Sequence, residues 1–160
     1  DINNSVRNKV IKRHSFRNFI ENITNKTFDY NECLKFINGT QVLSHLNESQ
    51  KSILSESLKL EEFPENSFIV KANKKASTIY FIKKGKVQCI DEDNKCVRLL
   101  KEGDNFGERA ILVNSRRTMS IKTLTNCICY SINIRTLKKM FGENFRSYLY
   151  LNFMKIFNCS

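Results

Sequence analysis

The sequence predicts an α+β domain, in which short strands close as a sandwich or barrel between two helical segments. Three observations carry this. Up to about Lys59, apolar residues recur every three to four positions, as on one face of a helix. From Glu61 the pattern changes to seven or so short apolar runs separated by polar turns. After Asn133 the helical spacing returns and holds to Phe157.

The chain is 160 residues long, enough for one domain, or one domain with a helical appendage. Hydrophobic residues make up 41% and charged residues 27%, which fits a globular class, and one Pro with five Gly excludes a linker-rich chain. No apolar run approaches the ~18 residues that a membrane helix needs. The chain begins at Asp1, without a Met or an apolar leader, and is expected to be a piece of a longer protein. Its net charge is +11, and between Ile111 and Ser160 eight Lys/Arg face one acid, Glu143. Such a bias attracts anions of every kind, so charge alone selects no ligand. The six cysteines form no C-x-x-C pair and the two histidines stand apart, so no zinc site is expected. Cys127 and Cys129 alternate with apolar residues, as buried strand thiols do. That usage points to a reducing, cytoplasmic setting.

Val6, Val10, Ile11, Phe16, Phe19, Ile20 and Ile23 give an N-terminal helical segment, taken as residues 1–35. Lys12–Phe16 has the look of a basic kinase-substrate site, although a basic helix face is the commoner use of such a run. Phe36, Ile37, Val42, Leu43 and Leu46 lead to Asn47, a good N-cap with Glu48 in the first turn. Ile53, Leu54, Leu58 and Leu60 then give the stripe of a helix ending near Lys59. Pro64–Ser67 reads as a turn. Strands are read at Phe68–Val70, Thr78–Lys84, Lys86–Ile90, Cys96–Leu100, Thr118–Thr123 and Cys127–Ile132. Ala72–Ser77, Asp91–Lys95 and Lys101–Asp104 are the polar connections. Asn133 caps a last helical region with the seam Leu137, Phe141, Phe145 and Leu149. In that region Tyr148, Tyr150 and Phe153 suit the core better than a lid over a ligand.

Phe106–Ile121, FGERAILVNSRRTMSI, interrupts the strands once. Gly107 lets the backbone approach a ligand closely. Glu108 to Leu112 can form one helical turn, whose first N–H groups have no partner within it and favour a phosphate. Arg117 can hold two phosphate oxygens through its planar fork. Glu108 would repel a phosphate, so it makes sense as acceptor for a neighbouring sugar hydroxyl or as partner of an arginine.

The stretch closely resembles the phosphate-binding cassette of cyclic nucleotide-binding domains, FGE-x-A-L-x-x-x-x-P-R-x-A-T. The flanking element order supports the resemblance from about Phe36 onward. It implies an eight-stranded, jelly-roll-like β-roll over 59–132, inside a domain of residues 36–160 that ends in C-terminal helices over 133–157. It further implies that Glu108 binds the ribose 2′-OH, that Gly107 and Ala110 offer backbone N–H groups, and that Arg117 pairs with the cyclic phosphate. Thr118 and Arg98 stand where the cGMP-dependent protein kinases place a hydroxyl and a strand arginine against guanine. The GERA core and the Asn/Lys/Ile-rich composition resemble the apicomplexan form of those kinases, in one of its inner regulatory domains. The implied ligand is cGMP, with cAMP the lesser alternative. The implied partners are a kinase domain and neighbouring nucleotide-binding domains of the same parent chain, with no nucleic acid and no integral membrane segment. The implied role is a non-catalytic switch whose cassette movement repacks the C-terminal helices.

Three departures stand out. Arg116 replaces the usual proline, Thr118–Ser120 replaces a run of small residues, and Ala72–Ala76 lacks the glycines of the family's E-G-D-x-G loop. Asn73 tolerates a left-handed backbone and Ala76 does so poorly, so a remodelled loop is expected. A degenerate docking module that binds no nucleotide is the rival reading, and the retained Arg117 opposes it. A nucleotide-gated DNA-binding protein would need a polar recognition helix after the roll, where this tail is aromatic and apolar. A cupin-type metal enzyme would need clustered histidines.

Overall fold

The computed structural model describes residues 30–157. The N-terminal segment up to residue 29, with the basic Lys12–Phe16 run, lies outside them. Residues 30–39 are helical (α1), followed by α2 (Gln41–Ser44) and α3 (Glu48–Ser57). Eight strands follow: β1 (Lys59–Phe63), β2 (Phe68–Val70), β3 (Thr78–Lys84), β4 (Lys86–Ile90), β5 (Cys96–Lys101), β6 (Asn105–Phe106), β7 (Ser120–Thr123) and β8 (Cys127–Asn133). The helix α4 (Glu108–Leu112) interrupts them, and α5 (Ile134–Phe141) and α6 (Phe145–Phe157) close the chain. The expected β-roll between helices is the observed architecture. It consists of two four-stranded antiparallel sheets, ordered β1-β8-β3-β6 and β2-β7-β4-β5.

The first sheet separates two cores because its side chains alternate from face to face. Ile79 and Phe81 of β3, with Tyr130 and Ile132 of β8, join the helix-side core. Ile82, Cys127 and Cys129 join the roll interior, where Val87, Cys89, Leu100, Phe106 and Ile121 meet them. Cys33 and Ile37 of α1 pack into the helix-side core, and Glu32 adds a 3.0 Å ion pair to Lys83 on β3. Asn47 caps α3 as expected. Its Oδ1 accepts from Gln50 N at 2.8 Å, and Gln50 Oε1 accepts from Asn47 N at 3.1 Å, a reciprocal capping box. Asn133 likewise caps α5, accepting from Thr136 N at 2.9 Å. At the β3–β4 connection Gly85 lies at φ 104, and an added Cβ would sit 2.5 Å from Asn126 O, so only glycine fits.

Three sequence expectations need correction. The third helix stops at Ser57, and Lys59–Phe63 is a strand with Leu60 44% exposed, outside any helical stripe. Five consecutive register partners on β8 override the helix-forming residues there. β7 begins at Ser120, which leaves Thr118 and Met119 in a bend before it. Tyr148 and Tyr150 are exposed on α6 and do not enter the core, although Tyr148 stacks on Phe141 at 4.5 Å. The Phe153 side chain lies outside the described residues. No helix among the described residues is long and apolar enough to cross a membrane.

Candidate functional site

β6 is two residues long, and its pairing with β3 delivers the chain into Gly107. The Phe106 ring stacks on Tyr80 with centroids 5.1 Å apart, which fixes the approach. Gly107 then turns at φ 93 into α4. A Cβ on it would fall 2.7 Å from Arg117 Nη1 and 2.9 Å from Thr78 O. Glycine is therefore what lets the Arg117 guanidinium lie against the start of α4.

Arg117 is 8% exposed, and its Nη2 donates to the Thr78 carbonyl at 2.8 Å. Its backbone is held as firmly. Its N–H donates to Lys74 O at 2.9 Å and its carbonyl accepts from Asn73 N at 2.8 Å. The loop expected to suffer from missing glycines is thus laced onto the cassette strand. Asn73 alone of that loop takes a positive φ, 65, a region asparagine tolerates. Ala76 takes none and is buried in the helix-side core. Arg116, in the place of a proline, donates from Nη1 to Asn73 O at 2.8 Å and forms an isolated bridge with Lys75. A proline would leave the Asn73 carbonyl without that donor.

Glu108 opens α4 beside the guanidinium. Its Oε2 is buried and has no hydrogen-bond partner in the protein. Burial pushes its carboxyl above the ordinary 4.5, against the pull of its own N–H, the Asn105 amide and the charges of Arg98 and Arg117. Burial likewise lowers the Arg117 guanidinium, while Tyr80 and Glu108 oppose that. Both charged groups are therefore held ready in a partly dry place, where an anion next to a hydroxyl satisfies them together. Among the described residues no group of His, Cys, Asp and Glu could hold a metal.

The fold brings Gly107, Glu108 and Arg117 into one cluster. Ala110 sits half-buried in α4 against the helix-side core, with its N–H in the first turn, where helical partners are lacking. Arg98 lies on exposed β5 opposite Cys89, and its charge acts on Glu108 from the second sheet. Thr118 is exposed directly after Arg117, in the bend. Sequence reasoning missed Thr78, Asn105, Tyr80, Asn73 and Lys74. Asn105 was the most findable, two residues before Gly107. The Thr78 and Lys74 contributions are backbone carbonyls, which have no residue signature.

Residues 60–144 match the sequence profile of the cyclic nucleotide-binding domain family. The cGMP-dependent protein kinases of Toxoplasma gondii and Eimeria tenella are 29% and 30% identical to the chain over 144 residues. That match covers 90% of this chain and 14% of each kinase. In fold, the regulatory domain of Toxoplasma gondii PKA, solved with cAMP, superposes with a TM-score of 0.70 at 16% identity, over 81% of this chain and 51% of that one.

Proposed function

The chain belongs to the cyclic nucleotide-binding domain family, and we propose that it binds cGMP as the regulatory part of a cGMP-dependent protein kinase. The observation that carries this is the buried Glu108 Oε2, without a donor in the protein, beside a buried arginine fork. A ribose 2′-OH supplies that donor while the cyclic phosphate takes the Arg117 fork and the N–H groups that open α4. Arg98 and Thr118, on opposite sides of Glu108 and Arg117 in the chain, support guanine over adenine. The similarity to cGMP-dependent kinases over 90% of the chain supports the same choice.

Binding is a switch with no bond made or broken. Cyclic nucleotide fixes α4 against Arg117, and α4 shares the helix-side core with α6 through Ile111, Phe145 and Leu149. A ligand that prefers one packing of α4 and α6 shifts the balance toward it. The parent chain's kinase domain and neighbouring nucleotide-binding domains are the proposed recipients of that shift. The proposed setting is cytoplasmic.

The test is a titration of fluorescent cGMP into the wild type and into Arg117→Ala. Loss of a buried charge-assisted pair lowers affinity by about 2–5 kcal/mol, roughly thirtyfold or more. Equal affinity overturns the assignment. The rival docking module draws on exposed Tyr148, Tyr150 and Leu151. It predicts neither heat nor thermal shift with cGMP or cAMP.

A further inference from the structure

Arg146 is the second residue of α6, and it reaches back to the far end of the cassette helix. Its Nε donates to the Ile111 carbonyl at 3.0 Å and its Nη2 to Asn114 Oδ1 at 3.2 Å. The guanidinium also lies 4.7 Å over the ring of fully buried Phe145, which anchors that end of α6 in the core. Ile111 O belongs to the last turn of α4, where a cation is favoured. It also accepts from Asn114 N at 3.2 Å, so Arg146 takes up the remaining acceptor capacity of a carbonyl that already holds the turn. Asn114 presents its amide from a positive φ of 51. One planar fork thus ties the end of α4, and the turn after it, to the first turn of α6.

We propose that Arg146 is a positioning residue that couples nucleotide binding to the packing of α6. This rests on the nucleotide reading of the site. α4 is five residues long, about 7.5 Å at the helical rise. So short a helix moves as a unit, and a shift at Ile111 is a shift at Glu108 and at the N–H groups that face the phosphate. The apolar contacts among Ile111, Phe145 and Leu149 also hold α4 to α6. They are non-directional and tolerate sliding, whereas a two-pronged guanidinium fixes register. By reciprocity, what α6 packing does to nucleotide affinity, nucleotide does to α6 packing.

The experiment uses Arg146→Gln, Arg146→Lys and Asn114→Gly, read by fluorescent cGMP affinity and by amide exchange of residues 145–151 with and without cGMP. Glycine keeps the positive φ while removing the amide, so N114G tests the same link even if an Arg146 variant folds poorly. R146Q is expected to weaken cGMP about three- to tenfold, the worth of one hydrogen bond. It is also expected to abolish the cGMP-induced change in α6 exchange while the change at residues 107–112 persists. R146K restores part of both. R146Q with N114G is no weaker than R146Q alone, because the two residues share one link. Lys138→Ala, which removes an exposed 4.0 Å pair with Glu143, changes neither readout. If the wild type binds cGMP while R146Q keeps both affinity and the α6 response, the coupling is overturned and the nucleotide reading stands. If the wild type binds no cyclic nucleotide, the functional reading is overturned and the coupling with it.

Discussion

Alanine at Gly107 places a methyl group 2.7 Å from Arg117 Nη1 and 2.9 Å from Thr78 O, on a backbone at φ 93. Two penalties follow. The left-handed backbone costs an L residue about 1–2 kcal/mol. The contacts, both under 3 Å, must also be relieved. Thr78 O belongs to β3, which is paired to β8 from Thr78↔Asn133 onward, so it is the guanidinium that yields. That breaks the Arg117–Thr78 bond, a charged donor's hydrogen bond worth about 1.5–3 kcal/mol where buried. G107A should therefore lose about 2.5–5 kcal/mol, or roughly 7–15 °C in Tm for a domain of this size. It should also lose at least tenfold in cGMP affinity, because the fork no longer faces α4. Gly103 supplies the control, at φ 92 with nothing within 4 Å of a built Cβ. G103A incurs the backbone strain alone, about 1–2 kcal/mol, and leaves affinity unchanged. Urea denaturation and nucleotide titration of both variants decide the matter. Equal destabilisation in the two, with unchanged affinity in G107A, refutes the claim that glycine is there to admit the arginine.

Other outcomes follow from the same geometry. Glu108 is raised above 4.5 by burial, and a hydroxyl donor favours its ionised form, so binding releases a proton. Affinity then rises with pH through a window above 4.5 and flattens beyond it, and E108Q abolishes that dependence. With no ligand the sign reverses, since stability falls as pH rises from 4.5 through the raised value. E108Q should thus bind weakly while unfolding no earlier than wild type at pH 7, as calorimetry with and without cGMP will read. Asn73→Ala strains the positive φ and should cost about 1 kcal/mol in urea, whereas Asn73→Gly stays within about 0.5 kcal/mol. Burial pushes the Cys129 thiol up to about 12, while Cys96 is exposed. Peptide mapping after iodoacetamide at pH 8 should therefore find Cys96 modified in the native domain and Cys129 only after unfolding.

The cassette was legible in the sequence because its parts are local. Gly107, Glu108 and Arg117 lie within eleven residues, and each type has a narrow physical use there. The caps at Asn47 and Asn133 were legible for the same reason. β1 was not, because K-L-E-E-F carries no β-branched residue and becomes a strand only through its partner β8, some seventy residues away. β6 is too short to show a period. The Ala72–Ala76 loop looked strained when judged by its missing glycines. Its single left-handed position falls on Asn73, and Arg116, where the cassette pattern has a proline, supplies a cross-link to that residue. Thr78 could not be found by residue type, since what it contributes to the site is a carbonyl. The exposure of Tyr148 and Tyr150 follows from how α6 is rotated on the helix-side core, and Phe145 and Leu149 decide that rotation.

A crystal structure of residues 30–157 grown with cGMP tests the central claim most directly. The account predicts density beside Arg117, with the ribose 2′-OH within about 2.5–3.0 Å of Glu108 Oε2. The phosphate should lie on the Arg117 fork at the opening of α4, and the guanine should face Arg98 and Thr118. A site without nucleotide at saturating cGMP, or a nucleotide whose ribose leaves Glu108 Oε2 without a donor, contradicts it.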